Sequence, residues 1–259
     1  MRLGTNLMLL PLHDPVRVAE DVATLSLTSG GRFDLGVGIG YRQLEFDHFG
    51  RKLSHRPSLV EEGIEILRRS WSGKPINFSG KRFEVGDLAV TPVPQTVPKV
   101  YLGGMVEPAI QRAARVADGF LCTGGIGIDI YNEALLQQGK ALDDGDIILG
   151  CWAIIAEDPE AEAAKIGDHI LYQINEYIKW GAFGPPDATP LFDDVKSAIE
   201  NGLYELWDAD TAVKELNKLM TTYPNIRDIH FWAQFPGESV ESGNARLRYI
   251  AEKVLPRLG

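Results

Sequence analysis

Short apolar strands alternating with helices of ten or more residues run through most of this chain, and that alternation limits its fold more than any other feature. Lys99–Leu102, Gly119–Thr123 and Ile147–Ala156 read as strands; Pro108–Ala117, Asp129–Gln138 and Pro159–Trp180 follow them as helices. Arg2–Leu10 reads as an opening strand. A helix then starts at Pro15 with Asp14 as its N-cap and ends at Gly30-Gly31. Ser54–Trp71, Leu191–Asn201, Asp208–Thr222 and Val240–Leu255 are further helices, and Ile226–Phe235 is the last strand. Six strands interleaved with helices predict a parallel sheet covered by helices. Residues 72–98, broken by Pro75, Gly80, Pro92, Pro94 and Pro98, read as an excursion with a short hairpin at Asn77–Phe83, and the whole chain as one domain.

The second strand is unusual. In Phe33-Asp34-Leu35-Gly36-Val37-Gly38-Ile39-Gly40-Tyr41, period two sets Phe33, Leu35, Val37 and Ile39 on one face and three glycines on the other. Aligned glycines in a strand mean a close approach to the backbone. The visitor is either a neighbouring strand or a flat ligand with Tyr41–Glu45 beside it. The spacing is Gly-x-Gly-x-Gly with no helix immediately after it, which does not match a dinucleotide fingerprint. A barrel is therefore the expected architecture, with its ligand site at the C-terminal strand ends.

Two other strand ends qualify. Leu102-Gly103-Gly104-Met105-Val106-Glu107-Pro108 joins a strand to a helix through paired glycines, and free amides at a helix start suit an anion such as phosphate. Asn6, among Leu3, Leu7, Leu9 and Leu10, is either a satisfied buried amide or a ligand contact. No nucleophile–base pair is visible, and the five histidines lack metal-ligand spacing. His230 on the last strand reads as a core histidine; Trp152 and Trp232 line either a pocket or the core.

With a formal net charge of −10, the chain is a poor partner for nucleic acid. No apolar run reaches membrane-spanning length, and no signal-peptide layout opens the sequence. Cys122 and Cys151 lack metal spacing and fit buried thiols in a reducing cytoplasm.

These residues together resemble the luciferase-like monooxygenase superfamily. Leu3-Gly4-Thr5-Asn6-Leu7 resembles its third strand. Ser29–Tyr41 with Glu45-Phe46 resembles its fourth strand and loop, and Phe78-Ser79-Gly80 with Thr91-Pro92-Val93-Pro94 the insertion that follows. Leu102-Gly103-Gly104 with Arg112–Phe120 resembles the fifth strand and its helix, and Val254-Leu255-Pro256 the C-terminal helix end. The resemblance implies a TIM-type α/β barrel and an oxidoreductase or monooxygenase that uses FMN or the deazaflavin F420 on a small organic substrate. It implies a ring lying on Asn6, Leu7, Gly38, Gly40 and Tyr41, a phosphate near Gly103, Gly104, Met105 and Val106, and a cis peptide between Asn6 and Leu7.

Three departures bear on this. The chain starts at the family's third strand, so six of eight strands are expected. The two absent strand–helix units take with them the segment that often carries catalysis, and no catalytic residue is assigned. Ile39 stands where some FMN-using members have arginine, which favours F420. Leu206-Trp207-Asp208-Ala209-Asp210 replaces the usual Gly-Thr-Pro helix start. The alternative is a non-catalytic barrel that binds cofactor or a partner chain without turnover. Homo-oligomerisation is expected in either case, and a chain with uncovered edge strands is expected to be a fragment that self-associates.

Overall fold

The computed structural model describes residues 1–259 and divides into two compact units, Met1–Ile148 and Leu149–Gly259. The first contains β1 (Leu3–Gly4), β2 (Met8–Leu9), α1 (Pro15–Thr28), β3 (Phe33–Gly38), α2 (Gln43–His48) and α3 (Arg56–Ser70). It continues with β4 (Ile76–Ser79), β5 (Glu84–Leu88), β6 (Val100–Gly103), α4 (Glu107–Val116), β7 (Gly119–Thr123) and α5 (Ile128–Gln137). The strand β8 (Asp146–Gly150) runs from the first unit into the second. The second unit goes on with β9 (Ala153–Ile155), α6 (Pro159–Lys165), α7 (Gly167–Trp180), α8 (Val195–Glu200), β10 (Glu205–Trp207), α9 (Ala209–Thr222), β11 (Ile226–His230) and α10 (Val240–Tyr249).

The first unit is built on β3. Both β1 and β2 pair with one edge of it, with Leu3 opposite Phe33 and Met8 opposite Val37; β6 takes the other edge, with Leu35 opposite Val100. All these pairs are parallel, as is β6 with β7, and β8 is the next neighbour of β7. All six residues of β3 are buried, as expected of a strand covered on both faces. Its one charged residue, Asp34, is held by the Arg2 guanidinium at 2.8 Å. The helices sit where their caps predict: the Asp14 carboxylate accepts from the Val16 and Arg17 amides, and Gly30 and Gly31 follow the last turn of α1. On α3, Val60, Ile64 and Leu67 are buried, as is Trp71 at its C-cap, whose indole donates to the Ala19 carbonyl of α1. The excursion is a two-stranded antiparallel hairpin, β4–β5.

In the second unit β11 lies beside β8, while β9 and β10 form a separate parallel pair. Carboxylate or hydroxyl caps from Asp158, Asp194, Asp208 and Ser239 open α6, α8, α9 and α10. No helix of the protein is long and apolar enough to cross a membrane.

Several expected elements are divided. Ile147–Ala156 is two strands in two sheets. Pro159–Trp180 breaks after Ile166, where Gly167 packs so close to α8 that a Cβ there would lie 2.9 Å from Val195 Cγ1. Leu191–Asn201 is helical only from Val195, where Asp194 supplies the cap. A short helix, α2, begins three residues after Gly40, where the sequence suggests a loop. The last strand stops at His230, and β10 carries no sequence signal that sets it apart from the segment before α9.

Candidate functional site

Arg2–Leu10 is not one strand, and the reason defines the site. Between the Gly4–Asp34 and Met8–Val37 pairs, Thr5, Asn6 and Leu7 face only Leu35 and Gly36 of β3. The extra residue lifts the chain off the ladder, as a bulge does, and the Asn6–Leu7 peptide is cis, as expected. The Thr5 side chain replaces the lost ladder bonds. Its hydroxyl donates to the Gly36 carbonyl at 2.8 Å and accepts from the Gly36 amide at 3.0 Å. Sequence reasoning passed over Thr5; a hydroxyl-bearing residue next to a break in strand alternation is the signal that was there to read. Replacing Thr5 by valine keeps the shape and leaves two polar groups of buried Gly36 without these partners. The expected loss is about 1–3 kcal/mol, read as a lower unfolding midpoint than that of Thr5→Ser; equal midpoints for the two variants would remove this role.

The glycine face is filled by the chain itself. A Cβ on Gly36 would lie 2.1 Å from the Thr5 carbonyl oxygen, and one on Gly38 2.5 Å from Leu7 Cδ1. On the adjacent strand, a Cβ on Gly103 would lie 3.0 Å from Leu7 Cδ2. The glycines of β3 and β6 therefore let Leu7 sink into the sheet. The expected bare floor becomes a leucine seated on glycines, with 41% of that leucine still exposed. Asn6 beside it is exposed rather than buried, and Gly40, with positive φ, turns the chain over the buried Phe46 ring so that Tyr41 is exposed.

Beyond Gly103 the chain enters α4. Val106 caps this helix with no side-chain hydrogen bond; its carbonyl takes the Ala109 and Ile110 amides, and Pro108 has no amide to satisfy. The helix start thus presents backbone amides and the positive end of its dipole beside the exposed side chains of Met105 and Val106. The Glu107 carboxylate lies along the helix and accepts from Gln111 Nε2 at 2.9 Å. Asn6, Leu7, Gly38 and Gly103 meet through the Leu7 side chain, and Gly40, Tyr41, Gly104, Met105 and Val106 continue from two of these strand ends.

The remaining candidates are Trp152, Trp232, His230 and the two cysteines. In the second unit, Trp152 stacks on Tyr204 with centroids 5.3 Å apart and packs edge-on to Trp232 at 6.4 Å. Burial lowers the pKa of His230, against the opposite pull of Asp228. Cys122 and Cys151 are free and buried, and burial raises each thiol to about 12. They are not nucleophiles at neutral pH.

A family profile described as luciferase-like monooxygenase matches residues 1–209. The chain belongs to the luciferase-like monooxygenase family. Among curated relatives, the F420-dependent glucose-6-phosphate dehydrogenase of Amycolatopsis mediterranei is 32% identical over 49% of this chain and 39% of its own length. A protein of Sinorhizobium fredii named y4vJ is 27% identical over 67% of this chain and 52% of its own. The chain thus spans about half the length of these relatives or less. Among solved structures, monooxygenase RslO1 from Streptomyces bottropensis superposes with a TM-score of 0.80 at 19% identity, covering 99% of this chain and 78% of that one. An F420-dependent secondary alcohol dehydrogenase gives 0.75 at 18% identity, covering 100% and 80%. These likenesses give this luciferase-like chain the TIM-type α/β fold of its family.

Proposed function

We propose that the protein is an F420-dependent oxidoreductase acting on a small organic substrate in the cytoplasm, that its two units are parts of one barrel domain, and that the shelf around Leu7 holds the cofactor. The observation that carries this is the Leu7 side chain seated on Gly38 and Gly103 beside the uncapped start of α4. A flat apolar bed next to free amides matches a ring with a phosphate-bearing side chain. Leu7 and Tyr41 would bed the ring and exclude water from one of its faces, and the amides from Gly104 to Glu107 would hold the phosphate. The bound deazaflavin supplies hydride transfer, and the protein supplies binding and orientation. Ile39 in place of a cationic side chain, and curated relatives named F420-dependent, favour F420 over FMN. The two free, buried cysteines support a reducing compartment.

The test is fluorescence titration of the purified chain with F420 and with FMN, expecting tighter binding of F420. Gly104 is a poor place to perturb the phosphate contact, because a Cβ there would lie 2.9 Å from Ala109 Cβ and 3.0 Å from its carbonyl carbon. Val106 is 64% exposed and can be changed without that clash. Val106→Glu, which sets a negative charge at the helix start, is expected to weaken F420 binding at least about tenfold, or roughly 1.4 kcal/mol. Undiminished affinity in the folded variant overturns the phosphate assignment; no binding of either cofactor overturns the reading as a whole.

A further inference from the structure

Five cations of the first unit gather, and none of them forms a salt bridge. Arg51, Lys52 and Arg56 lie before and at the start of α3, and Lys81 and Arg82 lie on the turn between β4 and β5. Two shallow cavities, open to solvent, share Arg51 and Lys52 and bring the five together. One, of about 470 Å³, is also lined by Arg56; the other, of about 270 Å³, by His55, Lys81 and Arg82.

The surrounding contacts position these groups without neutralising them. The Arg51 guanidinium lies over the Phe83 ring, 5.5 Å from its centroid. Arg82 Nε donates to Ser58 Oγ at 2.7 Å, which leaves its terminal nitrogens for another acceptor. Arg56 reaches the Leu53 carbonyl at 3.5 Å, while its buried Nε has no partner. The turn is fixed by Glu62, whose carboxylate accepts from the Lys81, Arg82 and Phe83 amides at 3.0, 2.9 and 3.2 Å. Gly80 makes room for that carboxylate, since a Cβ there would lie 2.3 Å from Glu62 Oε2. Glu62 is held by these amides, and Asp47, which also lines the larger cavity, accepts from Gln43 Nε2 at 2.6 Å and leaves one carboxylate against the five cations of the two cavities.

Gathering like charges raises the energy of a fold, and in a chain with 36 acidic side chains a compensating carboxylate is the ordinary remedy. Burial and the charges of Arg82 and Lys52 lower the pKa of His55, so the same field acts on a titratable group inside the cluster. Guanidinium forks engage phosphate and carboxylate oxygens in pairs.

We propose that these adjoining cavities bind a small polyanion carrying clustered phosphates or carboxylates, at a site separate from the shelf around Leu7. The site is compact and the rest of the chain is acidic, so the ligand is a small molecule rather than a nucleic-acid strand, which needs an extended basic face.

The full chain is titrated calorimetrically with pyrophosphate and, separately, with citrate. Saturable binding of at least one is expected, and the tighter of the two identifies phosphate or carboxylate as the preferred group. Arg51→Gln combined with Lys52→Gln is expected to weaken that binding at least tenfold, whereas Lys196→Gln with Lys214→Gln, two exposed lysines on α8 and α9 that line neither cavity, leaves it unchanged. Lys81→Gln on the exposed turn gives a second reading if the double variant folds poorly. By NMR, the His55 imidazole pKa is expected to rise when the anion saturates the parent chain. The proposal is overturned if neither anion saturates, if the cavity variants bind as tightly as the parent, or if saturating anion leaves the His55 titration where it was.

Discussion

Replacing Arg246 by methionine is expected to destabilise the second unit by about 3–5 kcal/mol, the cost of leaving buried carboxylates without their counter-charge. The guanidinium of Arg246 on α10 contacts both Glu238 oxygens, reaches Glu162 of α6 at 2.9 Å and donates to the Ala233 carbonyl at 3.2 Å. The arginine and Glu238 side chains are 7% and 2% exposed, so water cannot take over these contacts. Glu238 also accepts the Phe235 amide at 2.9 Å, and the guanidinium lies over the Phe235 ring. One cation therefore ties the loop after β11 to two helices. Four of the five tryptophans, Trp152, Trp180, Trp207 and Trp232, belong to this unit, so urea unfolding followed by tryptophan fluorescence reads it directly.

The same cluster sets an acid limit. Burial raises the Glu238 carboxyl, but hydrogen bonds from Arg246 and the Phe235 amide, with the arginine charge, outweigh it and leave the group at about 2. A carboxyl depressed below its usual value of 4.5 adds stability that is fully present above that pH and is lost as pH falls toward 2. Glu238→Gln is therefore expected to lower the midpoint at pH 7 and to converge with the parent near pH 2. An Arg246→Met midpoint equal to the parent's at pH 7 would contradict the first expectation. A constant gap between Glu238→Gln and the parent from pH 7 to pH 2 would contradict the second.

Gly36→Ala is expected to cost about 3 kcal/mol and to weaken cofactor binding with it. The added carbon would lie 2.1 Å from the Thr5 carbonyl oxygen and 2.9 Å from Leu121 Cδ1. The first obstacle is backbone, so it cannot rotate away. The bulge must move, and Leu7, two residues along, moves with it. Gly86→Ala, on β5 with no atom within 4 Å of the new carbon, is the control and should stay within about 0.5 kcal/mol of the parent. If the two alanine variants unfold together, the close approach of Thr5 does not hold the sheet in solution.

Much of the frame was legible because it is written in short-range terms. Asp14 and Asp158 announce helix starts, since a cap bonds to amides two or three residues away, whereas the Asp194 cap was passed over and its helix expected from Leu191. The buried stripe of α3 follows from spacings of three and four, and Gly119–Thr123 was legible to its ends as an apolar run between a glycine and a turn. The glycines of β3 announced a close approach, and the family's motif supplied the cis bond at Asn6–Leu7.

What came close to those glycines was not legible. A strand's period is blind to whether the space above a glycine is filled by a ligand, by the carbonyl of Thr5 or by the side chain of Leu7, 31 residues earlier than Gly38. Nor could periodicity show that Ile147–Ala156 serves two sheets, because both halves are apolar and only their partners differ. Arg246 meets Glu162 across 84 residues of sequence, and Arg51, before α3, meets the Phe83 ring on the hairpin after it; in the sequence each is one more charge on a polar stretch. The sequence determined the order of most strands and helices, several of their starts, and the points where side chains had to be absent, because those depend on interactions within about one helical turn. The tertiary structure decided which groups fill those points and which charges are paired or left unpaired, because distance through space, not along the chain, sets packing and Coulomb energies.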